Sequence, residues 1–149
     1  MDFGIRVGAV LRRGDSILLV RHEKPGAAPY HVLPGGRLEP GETIPECAER
    51  ELLEEANLTA EFSEILHVSE FMAEGRHTVD ITVAMDISDG EEASLGHDPE
   101  VPEGEAPTLA DVEWVAVEDV ESMDFRPSWI GEAISSEPSG GVYLGGGRH

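Results

Sequence analysis

The sequence predicts a mixed α/β sandwich in a single domain, and three observations carry that reading. Strand-like segments lie on both sides of one long amphipathic helical segment, an order typical of helices packed on a sheet. The 149 residues suit one compact domain, and neither a repeat nor a linker interrupts them. A hydrophobic content of 40% is enough to bury an ordinary core.

Each element follows in order. Ile5 to Leu11 alternates imperfectly and reads as a strand. Arg12-Arg13-Gly14-Asp15 is a turn, and Ser16 to Arg21 returns as the second strand of a hairpin. Glu23 to Pro29 is a Pro/Gly/Ala loop. His31-Val32-Leu33 is a short extended piece stopped by Pro34-Gly35-Gly36, and Gly36 to Gly41 reads as loop. Thr43 is a plausible N-cap, with Pro45 in the first turn and Glu46 at capping-box spacing. The helix then runs to about Ala56, where Asn57 suits a left-handed end. Leu58 to Val68 and Thr78 to Ile87 read as strands around a turn at Glu74-Gly75. Ser88 to Thr108 is rich in Asp, Glu, Gly and Pro and reads as a long surface loop. Val112 to Val117 is a further strand, followed by short helices at Glu118–Met123 and Ser128–Ser135. Gly141 to Leu144 is a last strand, and residues 145–149 read as a flexible tail.

Charge and composition narrow the function. There are 31 Asp and Glu against 10 Lys and Arg, a formal net charge of −21. Binding a polynucleotide relies on Lys and Arg neutralising phosphates, so a polynucleotide partner is disfavoured. Small phosphorylated ligands face the same repulsion unless bound cations invert the local field. No apolar run reaches the roughly 18 residues that span a bilayer, so no membrane partner is expected. Met1-Asp2-Phe3-Gly4 has no basic n-region, and Cys47 is the one cysteine. A reducing, cytoplasmic setting is the default expectation.

The helix carries the strongest chemical signal. With Glu51 at zero and about 100° per residue, Glu54 falls near −60° and Glu55 near +40°. The three carboxylates share one face, while Ala48, Leu52 and Ala56 form an adjacent apolar arc. Like charges three and four residues apart oppose the helix. Glu54 and Glu55 also lie in the last turn, where the helix dipole favours cations. A divalent cation among the carboxylates would account for both, since Mg²⁺ prefers oxygen ligands. Taken alone, the cluster reads better as a solvated face of a very acidic protein.

The flanking residues decide between the two. Gly36 is followed after five residues by Glu42, and after seven more by Arg50-Glu51-Leu52-Leu53-Glu54-Glu55-Ala56-Asn57-Leu58. This resembles the signature of the Nudix hydrolase family over Gly36 to Leu58. Asn57 stands where the pattern has a final Gly, and Asn tolerates the left-handed conformation. Leu33-Pro34-Gly35 and Trp114 also look like the family. The resemblance implies a Nudix-like α/β/α sandwich with a mixed central sheet, and Mg²⁺ or Mn²⁺ held by Glu51, Glu54, Glu55 and the Gly36 carbonyl. It implies that Glu51 orients or deprotonates the attacking water, unless a separate loop supplies the base. It further implies that Glu42 and Arg50 form an ion pair tying loop to helix.

Other residues are weighed beside the motif. Arg21, Lys24, Arg37 and Arg76 are scarce cations near the expected cleft, with Arg21 and Arg37 the preferred pair for substrate phosphates. Glu100, Glu103, Glu105 and Asp111 are candidates for one more carboxylate, although a solvated surface role suits each better. His31 is read equally as a base-stacking ring and as strand-face packing, whereas Trp129 and Tyr143 read better as core. Cys47 suits a tight contact between helix and loop rather than a nucleophile.

The resemblance implies a metal-dependent pyrophosphohydrolase cleaving a phosphoanhydride bond. Its small-molecule substrate would be a nucleoside diphosphate linked to another group, such as ADP-ribose or a nucleoside triphosphate. The alternative is a non-catalytic nucleotide-binding or regulatory domain of the same fold. Such relatives usually lack one of the helix glutamates, and this chain keeps all three. Homodimers are common among relatives, and nothing in the sequence marks a dimer surface.

Overall fold

In the computed structural model, residues 1–87, 92–94, 96, 109–135 and 142–148 are described. Among the described residues, eight strands form one mixed sheet: β1 (Asp2–Arg13), β2 (Ser16–His22), β3 (Tyr30–Val32), β4 (Gly35–Arg37), β5 (Ala60–Ala73), β6 (Arg76–Ile87), β7 (Leu109–Ala116) and β8 (Val142–Arg148). The main path runs β3-β2-β1-β6-β5-β8, with β4 added to β1 and β7 added to β2. The β1–β6 and β5–β8 pairs are parallel, and the rest are antiparallel. The described residues also form helix α1 (Ile44–Ala56), helix α2 (Ser128–Ser135) and a 3₁₀ turn over Val117–Ser122.

Two cores explain why β1 and β2 alternate poorly in sequence. Val7, Ala9 and Leu11 of β1 and Leu18 of β2 pack with Ala48, Leu52 and Ala56 of α1. Val10, Ile17 and Leu19 point the other way, onto Val120, Phe125, Ile130 and Ile134. Strands covered on both faces read as apolar runs. The result is the expected α/β/α sandwich, with α1 on one face and α2 with the 3₁₀ turn on the other.

Several boundaries differ from the sequence reading, among them β5, which runs on to Ala73, and β7, which starts at Leu109. The segment Gly35–Arg37 is a short strand against β1 rather than loop, with Gly36 opposite Val7 and Arg37 opposite Arg6. Its glycines permit this, because a Cβ on Gly35 would collide with the Val7 carbonyl. Residues 145–148, read as tail, continue β8, and Gly145 to Arg148 pair with Ser69 to Met72. β1 is also longer than expected, because Asp2 and Phe3 add to the parallel ladder with β6.

Candidate active site

The site is assembled where β4 meets α1. Thr43 caps the helix: its Oγ1 accepts from the Glu46 N–H at 3.2 Å, and Glu46 Oε1 accepts from the Thr43 N–H at 3.0 Å. This reciprocal pair satisfies two otherwise orphaned donors and fixes where the helix starts. The other end is closed by Asn57 in the left-handed region, at φ 53° and ψ 36°. Its N–H reaches the Leu53 carbonyl at 3.2 Å, and its side-chain amide donates to Ser94 Oγ at 3.0 Å. Between these caps, the faces of α1 are held in a defined orientation.

That orientation buries two of the three helix carboxylates. Glu51 is 2% exposed and Glu55 4% exposed, whereas Glu54 remains partly open. Burying a carboxylate is costly unless it is hydrogen-bonded, paired or bound to a metal. Glu55 Oε1 accepts the Gly35 N–H at 2.7 Å. The Glu51 carboxylate packs directly over Gly36, so that any Cβ there would collide with it. Strand β4 and the acidic face are therefore in contact, and at Gly36 only glycine allows it.

Arg50 ties the cluster together. Its Nε and Nη2 donate to the two Glu42 oxygens at 2.7 and 3.1 Å, a bidentate pair. Its Nη1 reaches Glu51 Oε1 at 2.9 Å and Glu54 Oε2 at 3.2 Å, and Nη2 also donates to the Arg37 carbonyl at 3.1 Å. The hydrogen bond from Arg50 is the largest cause holding the Glu42 carboxyl down to about 2, and Glu42 in turn raises the Arg50 guanidinium further. Cys47 lies beneath, with Sγ 3.8 Å from the Gly36 carbonyl and 3.6 Å from that of Arg37. Burial, with the Glu42 and Glu51 charges, pushes its thiol up to about 12, so the thiolate needed for a nucleophile is absent near neutral pH.

The donors suit a hard divalent cation: carboxylate oxygens of Glu51, Glu54 and Glu55 beside the Gly36 backbone. Among the described residues no three acidic, His or Cys side chains converge as a ready metal cage. Arg50 stands between Glu51 and Glu54 in this arrangement and neutralises them. The crowding of buried carboxylate against a glycine backbone nevertheless fits an oxygen-coordinated cation.

A cavity of about 200 Å³ adjoins the cluster and is lined by Arg6, His22, Tyr30, Gly36, Arg37 and Glu55, among others. His22 and Tyr30 stack at 5.4 Å with 15° between their planes, and Arg126 lies over Tyr30 at 4.2 Å. Arg37, expected at the phosphates, does line this cavity, and its guanidinium also reaches Asp2 and the Phe3 carbonyl. Arg21 is placed apart. Strand parity sends it to the face opposite His22, where it pairs with Glu113 at 2.8 Å and Glu23 at 3.2 Å. His31 shares that face, 3.5 Å from Glu113, and is not part of the cavity wall. Asp111 accepts the N–H of Val112. Trp129 stacks against Phe71, as expected of a core residue. Glu100, Glu103, Glu105 and the side chain of Tyr143 lie outside the described residues.

The NUDIX domain model matches residues 2–133, nearly the whole chain. The chain belongs to the Nudix family. A 60-residue stretch, 40% of this chain, is 43% identical to a human protein described as 8-oxo-dGDP phosphatase NUDT18, of which it covers 19%. The chain thus spans a small part of that relative's length. Among solved structures, a NUDIX hydrolase from Nitrosomonas europaea matches over 100% of this chain and 81% of its own, with a TM-score of 0.71 at 19% identity. A MutT protein from Methanosarcina mazei Go1 matches over 91% and 92%, with a TM-score of 0.68 at 22% identity. At these identities the structural likeness establishes the Nudix fold, and the site must be argued from its own residues.

Sequence reasoning missed His22, Tyr30 and Arg6. The first two were findable from parity, since His22 shares the Val20 face of β2 and Tyr30 stands directly across from it. Arg6 carried no such signal.

Proposed function

We propose that this Nudix chain is a metal-dependent pyrophosphohydrolase that cleaves a phosphoanhydride bond in a small nucleotide. The observation that carries the reading is the buried pair Glu51 and Glu55 pressed against Gly35 and Gly36, which gathers carboxylate oxygens beside glycine backbone, the oxygen-rich donor set that a hard divalent cation takes. Glu51, Glu54, Glu55 and the Gly36 carbonyl are the groups that would hold Mg²⁺, or Mn²⁺ in its place. When bound, the cation supplies neutralisation of phosphate charge and a more acidic bound water.

The chain's own residues do the rest. Glu51 accepts the proton of the attacking water. Arg50 holds the Glu51 and Glu54 side chains in place and is itself anchored by Glu42. Arg37 and Arg6, on the cavity wall, are the cations we assign to substrate phosphates, and His22, stacked on Tyr30, is the ring we assign to the base. The substrate is a nucleoside diphosphate carrying a further group: a nucleoside triphosphate, or a nucleotide sugar such as ADP-ribose. The human relative's description as an 8-oxo-dGDP phosphatase adds oxidised guanine nucleotides to that set.

A nucleotide panel assayed with Mg²⁺, with product identification, tests the proposal. Wild type should turn over at least one compound, and Glu54→Gln should lose at least about 100-fold, since even outer-shell partners of a metal site are worth 10–100-fold. No hydrolysis of any member by wild type would sink it in favour of a non-catalytic binding domain, and equal rates in both proteins would overturn the role given to Glu54.

A further inference from the structure

Tyr30 opens a strand that little else holds. β3 follows an exposed stretch, residues 23–29, and pairs with β2 through Tyr30, His31 and Val32 alone. The Tyr30 ring is nevertheless clamped. β2 borders β3 on one edge, and His22, directly opposite Tyr30, stacks on it with 5.4 Å between centroids and 15° between planes. The Asp124–Arg126 segment borders the other edge. There the His31 N–H donates to the Asp124 carbonyl at 2.8 Å, and the Arg126 N–H donates to the His31 carbonyl at 2.9 Å. Tyr30 thus stands between His22 and Arg126, whose guanidinium carbon lies 4.2 Å from the ring centroid.

Arg126 is itself fixed. Its Nε and Nη2 donate to the two Asp124 oxygens at 3.2 and 3.1 Å, a fork that sets the plane of the guanidinium. The fork holds the Asp124 carboxyl below its ordinary range, so both partners are charged at neutral pH. Both side chains are about half exposed, and an ion pair so open to solvent adds little to folding stability. Its effect is geometric. A tyrosine ring turns about two bonds, and a cation on one side with an imidazole on the other restricts both. His22 and Tyr30 line the cavity beside Gly36, Arg37 and Glu55, whereas Asp124 and Arg126 do not. The clamp therefore reaches the cavity wall from outside it.

We propose that Arg126 is a positioning residue for nucleotide binding: forked on Asp124, it sets the plane of Tyr30 and, through that ring, of His22. This rests on the assignment of His22 to the base. Without the guanidinium, Tyr30 and His22 are free to turn, and a bound base has to order two rings that the wild type holds ready. The phosphate contacts assigned to Arg6 and Arg37 stay as they are. Loss of Arg126 therefore weakens binding of the nucleoside part and spares the phosphates.

The test measures binding to the full chain in Mg²⁺ by calorimetry. The probes are the α,β-methylene analogues of ADP and GDP, which resist hydrolysis, and methylenediphosphonate, which lacks the nucleoside. At least one nucleotide analogue should bind wild type with Kd below about 1 mM. Arg126→Ala should weaken it at least about fivefold and leave methylenediphosphonate within about twofold. Tyr30→Ala should weaken it similarly, Tyr30→Phe should stay within about twofold, and Arg126→Ala should add nothing in the Tyr30→Ala background. A merely structural role would lower Tm without separating the probes. The proposal is overturned if Arg126→Ala binds the nucleotide as wild type does, weakens both probes alike, or adds its full loss to that of Tyr30→Ala. It is also overturned if neither analogue binds wild type at up to about 10 mM. Should methylenediphosphonate bind too weakly to read, the Tyr30→Ala background decides; should Arg126→Ala not fold, Arg126→Gln takes its place under the same criteria. Turnover is not the readout, so a chain that hydrolyses nothing would end the catalytic proposal and leave this one standing.

Discussion

Replacing Glu42 by Gln isolates the ion pair that fastens the glycine loop to α1. Gln keeps the shape of the side chain, so the substitution removes the charge and turns one of two accepting oxygens into a donor. The Glu42 carboxyl stands at about 2 in the fold against an ordinary 4.5, chiefly through its hydrogen bond from Arg50. At about 1.4 kcal/mol per unit the shift corresponds to about 3 kcal/mol of stability near pH 7. Its side chain is 14% exposed, so solvent screens the pair only modestly, and about 2–3 kcal/mol is the expected loss. For a chain of this size that lowers Tm by roughly 5–10 °C. The folded value is depressed, so the stabilisation is fully present above 4.5 and fades as pH falls towards 2. At pH 3 only about 1.4 kcal/mol should remain between the two proteins. Urea unfolding of wild type and Glu42→Gln at pH 7, 5 and 3 reads this directly. A difference below about 0.5 kcal/mol at pH 7, or one that stays constant down to pH 3, would refute the reasoning.

Two further outcomes bear on the same loop and helix. Gly36→Ala should leave a folded protein yet cut nucleotide hydrolysis at least about 100-fold, because the new methyl displaces the Glu51 carboxylate; circular dichroism together with a Mg²⁺-dependent turnover assay checks both halves. Asn57→Ala should cost about 1–2 kcal/mol because the backbone there is left-handed. Asn57→Gly should stay within about 0.5 kcal/mol of wild type, the easier backbone offsetting the lost contact to Ser94. Chemical denaturation of the two variants side by side measures the contrast.

Much of the site was legible because its residues are local. Gly36, Glu42, Arg50, Glu51, Glu54 and Glu55 lie within 20 residues of chain, and helical spacing alone puts the three acids on one face. The caps at Thr43 and Asn57 were equally readable, since capping chemistry depends on near neighbours. What escaped was parity and distance. Arg21 and His22 are adjacent in the chain, yet a strand sends them to opposite faces, and only the pairing of β2 with β3 and β7 shows which face meets the cavity.

The acidic face on α1 and the family to which the chain belongs were therefore set by sequence, through short-range geometry that any helix of these residues must adopt. Tertiary structure decided how that face is used. It buried Glu51 and Glu55 against β4, a strand that reads as loop because its glycines form a ladder only when β1 is there to receive them. It placed Arg50 between Glu51 and Glu54. Burial and the pairing of remote strands depend on which surfaces meet, and residues far apart in the chain settle that together.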